Sequence, residues 1–234
     1  FDSAFTWSGA LSDVDGDGST DDWVSTGSLK DSGSFKFLNF SSLSSLVIGK
    51  QSSSSNANVT IASDTAFAGD WSVYGGAVTI NSESLIGGEL SLSGSTLSMT
   101  SGSTIGTSST SNTSLSIDFN SYSFAGSNAI STGGSFTYDV TGSLSIGGSG
   151  ATRNVNTDLL NVLSVGGTFN FGTANTTSID VSSDLTLASQ GVVFATASGG
   201  SVNLGADVTT SGYQTYNSDV VISATDVSLS TLGN

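Results

Sequence analysis

The chain has 234 residues, of which 36% are hydrophobic and only 10% are charged, and nineteen acidic residues against four basic ones give a net charge of −15. This balance argues against a partner that is a nucleic acid or an anionic membrane, because binding those surfaces requires clustered Lys and Arg. The absence of cysteine excludes a disulfide framework, and no apolar run is long enough to span a bilayer. Divalent cations are the attractive partners for so acidic a chain.

Residues 1–40 differ in composition from the rest and are predicted to form a capping or docking segment. They hold two tryptophans and two of the four basic residues, which are Trp7, Trp23, Lys30 and Lys36. The chain opens at Phe1 and Met99 is its only methionine, which favours a secreted protein that has lost its signal peptide, although an excised fragment would look the same. We therefore expect an extracellular or cell-surface location.

The stretch SDVDGDGSTDDW, residues 12–23, concentrates aspartate in a chain that is otherwise poor in charge. Its oxygen-bearing side chains alternate along a loop with Gly18 at the sixth position, and those at positions one, three, five, seven and nine are Asp13, Asp15, Asp17, Ser19 and Asp21. Alternate residues of a tight loop can direct their oxygens at one centre, as Ca²⁺ requires. The sequence predicts a calcium site here, with a solvated acidic turn as the alternative.

The same loop resembles the calcium loops of thrombospondin-type-3 and dockerin-like modules. It is not a complete EF-hand, because Val24 stands at the twelfth position, where an EF-hand carries a bidentate glutamate. We expect the bound ion to have a structural role, ordering the loop so that the N-terminal segment is fixed against the first coil of the body.

From residue 41 onward, short runs such as ANVTIAS, ELSLSG, DLTLAS and SVNLGA alternate apolar and small polar residues, which predicts strands. Glycine pairs open similar segments at 133, 166 and 199, and the equal spacing of these three positions indicates stacked units of one fixed period. The absence of proline suits long hydrogen-bond ladders. These features predict an all-β fold, a parallel β-helix (β-solenoid) over residues 41–234, in preference to a β-sandwich.

The C-terminal segment carries a motif with a wider likeness. A threonine pair, a glycine and then Gln-Thr-Tyr-Asn precede an apolar strand, and the matching residues are Thr209, Thr210, Gly212, Gln214, Thr215, Tyr216 and Asn217. The segment resembles the repeats of filamentous-haemagglutinin-type bacterial surface proteins, and FTWSGA with Trp7 and Trp23 is similar to the opening of autotransporter-like secreted β-helices. The resemblance implies a right-handed β-helix on the cell surface that serves in adhesion or as a stalk.

Catalysis is a competing function, because polysaccharide hydrolases and lyases also use parallel β-helices. The chain has no histidine or cysteine, so hydrolysis would need a carboxylate pair, and the candidates are Glu83 with Glu89 or Asp180 with Asp184. Lyases of this fold generally need a basic residue beside bound calcium, and Arg153 is the one basic residue beyond Lys50. We expect a non-enzymatic protein and rank a polysaccharide-cleaving enzyme third.

The ends of a solenoid give a physical reason for self-association. An open β-helix presents unpaired backbone groups, and the last stretch, DVVISATDVSLSTLGN, alternates like a strand with no evident cap. We expect subunits to stack head-to-tail into filaments under the control of calcium, or further repeats to continue the stack if the chain is a fragment. The expected partners are other copies of the chain and cell-surface glycans, and a monomeric carbohydrate-binding adhesin is the second choice.

Overall fold

The structure is a computed structural model of the chain. It describes residues 5–7, 9–12, 22–25, 38–39, 45–48, 58–62, 65–66, 69–81, 84–107, 114–187 and 191–232.

The described residues form 26 strands and one short helix. The first thirteen strands are β1 (Phe5–Trp7), β2 (Gly9–Ser12), β3 (Asp22–Ser25), β4 (Leu38–Asn39), β5 (Ser45–Ile48), β6 (Val59–Ile61), β7 (Thr65–Ala66), β8 (Asp70–Ile80), β9 (Ser84–Gly87), β10 (Leu90–Met99), β11 (Thr104–Thr107), β12 (Leu115–Phe124) and β13 (Ala129–Thr132). The others are β14 (Phe136–Tyr138), β15 (Gly142–Ile146), β16 (Arg153–Val155), β17 (Leu163–Val165), β18 (Thr168–Phe171), β19 (Thr176–Val181), β20 (Leu185–Leu187), β21 (Gly191–Phe194), β22 (Ser201–Leu204), β23 (Val208–Thr210), β24 (Tyr213–Tyr216), β25 (Asp219–Ile222) and β26 (Leu229–Thr231).

The helix, α1, spans Thr157–Val162 and has a polar start. The side chain of Asn156 accepts a hydrogen bond of 3.0 Å from the Leu159 amide, which satisfies a donor that the first turn would otherwise leave bare. The structure describes no helix with the length and hydrophobicity of a transmembrane span.

The chain divides into two compact units. The first comprises Phe1–Ser108 and Ser123–Ile130, and the second comprises Ser109–Tyr122 and Ser131–Asn234. Apart from an antiparallel sheet in the first forty residues, the described strands of both units are parallel and stacked as successive coils, which confirms the predicted all-β parallel β-solenoid.

In the first unit, β8 is flanked by parallel strands on both sides. It pairs with β5 and β6 on one side and with β10 on the other, and the register places Leu90 beside Trp71 and Val78 beside Val59. From β6 to β8 and from β8 to β10 the chain advances by 19 positions, as it also does in the hydrogen bonds that join these coils, whereas β5 pairs with β8 at an offset of 25 positions. Alternate residues point inward, so Trp71 and Val73 are fully buried while their neighbours lie nearer the surface.

The first forty residues contain the antiparallel strand pairs. Strands β2, β3 and β4 form a three-stranded sheet in which Ser12 lies opposite Asp22. Strand β1, from the same segment, pairs parallel with β6 of the stack. The boundary that the sequence placed at residue 40 stays a prediction.

In the second unit, each of the last coils contains three strands, one on each of three sheets. Strands β18, β19 and β20 form one coil, β21, β22 and β23 the next, and β24, β25 and β26 the last. From the first of these coils to the second, the register places Val192 beside Phe169 and Val208 beside Leu185, an advance of 23 positions. The lateral ladders keep alternate side chains in continuous inward rows.

The fixed period inferred from the glycine pairs is correct for one coil and wrong as a general repeat. Phe136 pairs with Phe169, and Thr137 accepts a hydrogen bond from Asn170, 33 positions on, because this coil also accommodates β16 and α1. The next coil is shorter, so the glycine pair at 199 precedes β22 on a different sheet from the strand that follows the pair at 166. An insertion in one coil therefore produced an interval that the third pair repeats only by coincidence.

The glycine pairs at 133 and 166 do share one place in successive coils. The amide of Gly166 donates to the carbonyl of Thr132 at 2.8 Å, and the amide of Gly167 donates to that of Gly134 at 2.9 Å. A Cβ on Gly166 would lie 2.7 Å from the carbonyl oxygen of Gly133, closer than such atoms approach. Glycine is needed here because the two backbones lie in direct contact.

Aromatic rings stack along the core of the second unit. The register aligns Tyr138, Phe171, Phe194 and Tyr216 in one inward row. The ring centroids of Phe171 and Phe194 are 5.7 Å apart and those of Phe194 and Tyr216 are 5.1 Å apart, with nearly parallel planes in both pairs. Rings in offset stacks of this kind attract each other beyond the area that they bury.

Candidate functional site

The last coil that the structure describes in the second unit has open strand edges. Within the described residues, β24, β25 and β26 each pair with one neighbour, namely β21, β22 and β23, and with no strand on the other side. Their outer backbone groups can therefore receive a further parallel strand on each sheet. We call this surface, formed by residues 213–216, 219–222 and 229–231, the C-terminal edge.

Rows of inward-facing apolar side chains, which are buried in the preceding coils, continue into this edge and become exposed there. Val220 follows Val202 in register and Ile222 follows Leu204, and both preceding residues are fully buried. At the edge, 42% of Val220 and 54% of Ile222 are exposed. Leu229, which follows the buried Val208, is 47% exposed. Three apolar side chains in the inward-facing rows, those of Val220, Ile222 and Leu229, are thus about half exposed at this edge.

A polar network holds the last coil closed behind this edge. The side-chain amide of Gln214 donates to the carbonyls of Val208 and Ser230, both at 2.9 Å, and its oxygen accepts from the hydroxyl of Tyr216 at 2.9 Å. Gln214 follows the buried Val192 in register, so it takes a position that is apolar one coil earlier. Burial raises the pKa of Tyr216 to about 12. Gln214 thus joins β24 to β26 of the same coil and to β23 of the preceding coil, which holds the backbone of the C-terminal edge in place.

Gln214 and Tyr216 belong to the motif that carried the resemblance to bacterial surface repeats. The sequence identified the motif but not the role of its glutamine, which is half-buried and joins β24 to strands of the preceding coil and of the last coil. A glutamine between strand-like residues is the available signal, but alternation alone would have placed it facing solvent.

The predicted calcium ligands Asp13, Asp15, Asp17, Ser19 and Asp21 lie outside the described residues. The strands that flank them, β2 and β3, pair directly from Ser12 and Asp22 inward. Elsewhere in the chain, the residues that the structure describes contain no group of three or more acidic side chains that could hold a metal ion. The calcium site stays a prediction.

Of the two candidate carboxylate pairs, the structure describes both members of only one. Glu83 lies outside the described residues, so its pair with Glu89 is untested. Asp180 accepts a hydrogen bond of 2.7 Å from the side-chain amide of Asn203, and Asp184 accepts one of 3.2 Å from the backbone amide of Asp207. Each of these carboxylates thus bonds to the residue 23 positions further on, and both contribute to the joining of successive coils.

The sequence missed an ion pair on the surface of the second unit. Arg153 donates from Nε and Nη2 to the two carboxylate oxygens of Asp118, which lies far earlier in the chain. Behind the pair, the Tyr122 hydroxyl donates to that of Tyr138, and Tyr138 donates to the carbonyl of Phe119 at 2.8 Å. No local sequence pattern predicts such a pair, because Arg153 and Asp118 come together only when the coils stack.

Burial dominates the electrostatics of this cluster. It raises the pKa of Asp118 despite the opposing effect of Arg153, and it raises the pKa of Tyr122 well above its usual value of 10. Removing a carboxylate from water costs more here than its ion pair returns. The cluster therefore has a cost at neutral pH that can be measured.

We expect the substitution Asp118→Asn to gain stability relative to the wild type as the pH rises from 3 toward 7. An aspartate whose folded pKa is raised favours the folded state while it is protonated, and that contribution is lost as the pH rises from the unfolded pKa through the folded one. Urea unfolding of both proteins across this range measures the difference. The variant Arg153→Gln should steepen the loss, since Arg153 opposes the shift; a flat difference curve for Asp118→Asn would contradict this account.

Comparison of the chain with protein-family models, with curated proteins and with solved structures finds no match. Its function is therefore inferred from its own geometry.

Proposed function

We propose that this protein is a non-catalytic structural or adhesive protein of the cell surface whose subunits stack head-to-tail into filaments. The observation that carries the proposal is the C-terminal edge, where three parallel strands have one partner each among the described residues and where core rows end in exposed Val220, Ile222 and Leu229. A second copy of the chain is the occupant that we assign to this edge.

The edge is complementary to strands at the start of the chain. In the described part of the first unit, β1 and β5 also pair on one side only, with β6 and β8, and both pairs are parallel. A contact between the last coil of one copy and these strands of the next would extend parallel ladders across the junction. Such a contact joins two different surfaces and does not close on itself, so it generates a filament.

The gain from covering the edge is substantial. Completing the burial of each of the three half-exposed side chains would contribute about 1 kcal/mol, before the backbone bonds of the new ladders are counted. A proline-free segment with an apolar edge is the kind of surface that soluble monomers normally cover or charge. Polymerisation supplies that cover.

The test is the assembly state of the purified chain, by sedimentation velocity and electron microscopy across a concentration series. The double variant Val220→Lys with Ile222→Lys places two charges in the core rows of the edge, and we expect it to remain monomeric where the wild type forms filaments. Val221→Lys is the matched control, because Val221 lies between these residues on the same strand and points to the flank of the sheet. Equal assembly of the double variant and the control, or a monodisperse wild-type monomer at high concentration in calcium, would refute the proposal.

Calcium enters the proposal as a regulator. A Ca²⁺ ion on Asp13, Asp15, Asp17, Ser19 and Asp21 would order the connection between β2 and β3 and so the N-terminal surface that a second copy meets. The same assembly measurement, repeated with a chelator and with Asp15→Asn, tests this role. Filaments that persist unchanged in both conditions would remove calcium from the mechanism and leave the edge contact standing.

A further inference from the structure

A tyrosine on the flank of the last coil lies flat across a glycine. Tyr213 pairs with Gly191 in register, and a Cβ built on Gly191 would fall 2.9–3.0 Å from three ring carbons of Tyr213. The ring therefore covers the glycine backbone where another residue would carry a side chain. Despite this contact, 53% of Tyr213 is exposed. One face of the ring rests on the sheet, and solvent reaches much of the remainder.

A hydrogen bond fixes the orientation of this ring. The hydroxyls of Tyr213 and Thr168 lie 2.6 Å apart, although the two residues are distant in the chain. Thr168 pairs with Gly191, so Thr168, Gly191 and Tyr213 stand in one outward row, and the ring reaches back over two coils. It extends away from the C-terminal edge. An aromatic ring held at both ends loses little conformational entropy when a ligand lands on it.

We propose that Tyr213, seated on Gly191 and tethered to Thr168, is a stacking platform for a neutral hexopyranose of a glycan. The electron-rich face of an aromatic ring attracts the slightly positive C–H groups that line one face of a pyranose. The next outward row of the same sheet contains Asn170 and Thr215, two residues along from Thr168 and Tyr213. Same-face neighbours on a strand stand about 6.6 Å apart, which is within reach of the hydroxyls of a sugar centred on the ring.

The charge of the chain selects neutral sugars. The net charge is −15, and Arg153 is the single basic residue beyond Lys50. Its guanidinium is paired with Asp118. A sialylated, sulfated or uronic acid residue would therefore meet a repulsive field at the platform, and among the described residues the only cation is already paired. The ligand class is a neutral hexose, and a filament of stacked subunits would repeat the platform and multiply weak contacts into avid binding.

The test is a titration of the protein with methyl glycosides of galactose, glucose and mannose, followed through the tyrosine ring signals in NMR spectra. Methyl glucuronide serves as the charged counterpart of the glucoside. For a ligand of this size we expect at least one neutral glycoside to bind with a Kd on the order of 1 mM, and the glucuronide to bind more weakly. The double variant Val220→Lys with Ile222→Lys, which we expect to be monomeric, is titrated in parallel, so that binding is measured separately from assembly.

Three variants separate stacking from a merely structural ring. Tyr213→Ala should weaken binding about tenfold or more, whereas Tyr213→Phe, which keeps the ring and loses its tether, should cost about threefold. Gly191→Ala retains Tyr213 but lifts its ring, so it should weaken binding as much as Tyr213→Ala. Thr186→Ala, at an exposed position on another sheet, is the control and should bind as the wild type does.

The proposal fails if no neutral glycoside shows saturable binding when the titration is carried to concentrations well above 1 mM, the order of the expected Kd. It fails equally if Tyr213→Ala and Gly191→Ala bind as the wild type does, or if the glucuronide binds as tightly as the glucoside. In any of these cases, a lower melting temperature of Tyr213→Ala would show that the ring serves only to cover the glycine.

Discussion

Replacing Phe171 with alanine is expected to lower the free energy of unfolding by about 3–5 kcal/mol. Phe171 is fully buried and stacks between the rings of Phe169 and Phe194, at centroid distances of 6.0 and 5.7 Å. Ladders on both sides hold its backbone in place, so the coils cannot move together to fill the space that the ring leaves. The loss therefore includes a cavity term as well as the transfer of the ring to water.

Equilibrium urea unfolding measures this loss, with the slope of the transition checked for a change in cooperativity, since stacked repeats can unfold in parts. Phe171→Leu refills most of the volume and should cost about 1 kcal/mol. Thr186→Ala, at an exposed position, should cost less than about 0.5 kcal/mol. A loss for Phe171→Ala no greater than that for Phe171→Leu would show that the aromatic row is loosely packed.

Between pH 10 and 12, the protein is expected to lose about 2–3 kcal/mol of stability through Tyr138 alone. Burial raises the pKa of this tyrosine from 10 to about 12. The unfolded chain releases the proton near pH 10 while the folded chain still holds it. Stability that is fully present below pH 10 is therefore lost as the pH rises toward 12.

The variant Tyr138→Phe isolates this effect. At pH 8 it should be about 1 kcal/mol less stable than the wild type, because the carbonyl of Phe119 loses the hydroxyl that bonds to it. Near pH 12 the order should reverse, since the variant has no proton to lose at this position. Urea unfolding at both pH values is the measurement. Parallel stability curves for the two proteins would mean that the Tyr138 hydroxyl ionises as readily folded as unfolded.

The strands were predictable because their signal is local. Each strand-like segment shows the alternation of apolar and polar residues by itself. In ELSLSG this alternation predicts that Leu90 and Leu92 face the core, and both are buried in the structure. What one strand contains is enough to predict that strand.

The stacking was harder to predict, because coil length is not constant. The advance from the preceding coil is 19 positions at Leu90, 23 at Val192 and 33 at Phe169. A single fixed period therefore matched the longest of these coils and was extended to its neighbour. Every contact that depends on register remained hidden for the same reason, including the pair of Arg153 with Asp118 and the seat of Tyr213 on Gly191.

The C-terminal edge was predictable in part. The alternation of DVVISATDVSLSTLGN predicted an uncapped end, and the structure locates the exposed side chains that follow buried rows. The role of Gln214 inside the last coil could not be predicted, because its partners are backbone carbonyls of Val208 and Ser230 on another sheet. The aspartate loop remains a prediction from composition and spacing.

The coil between Phe136 and Phe169 also offers a place to label the molecule. Phe136 and Phe169 remain in register although β16 and α1 intervene, so the stack accepts additional sequence at this corner. Ser149 and Gly150 are exposed there, and no atom lies within 4 Å of the position that a Cβ on Gly150 would take. An epitope or fluorophore-binding peptide spliced between them would project from the surface at modest entropic cost, and in the proposed filament it would mark the spacing of subunits for microscopy.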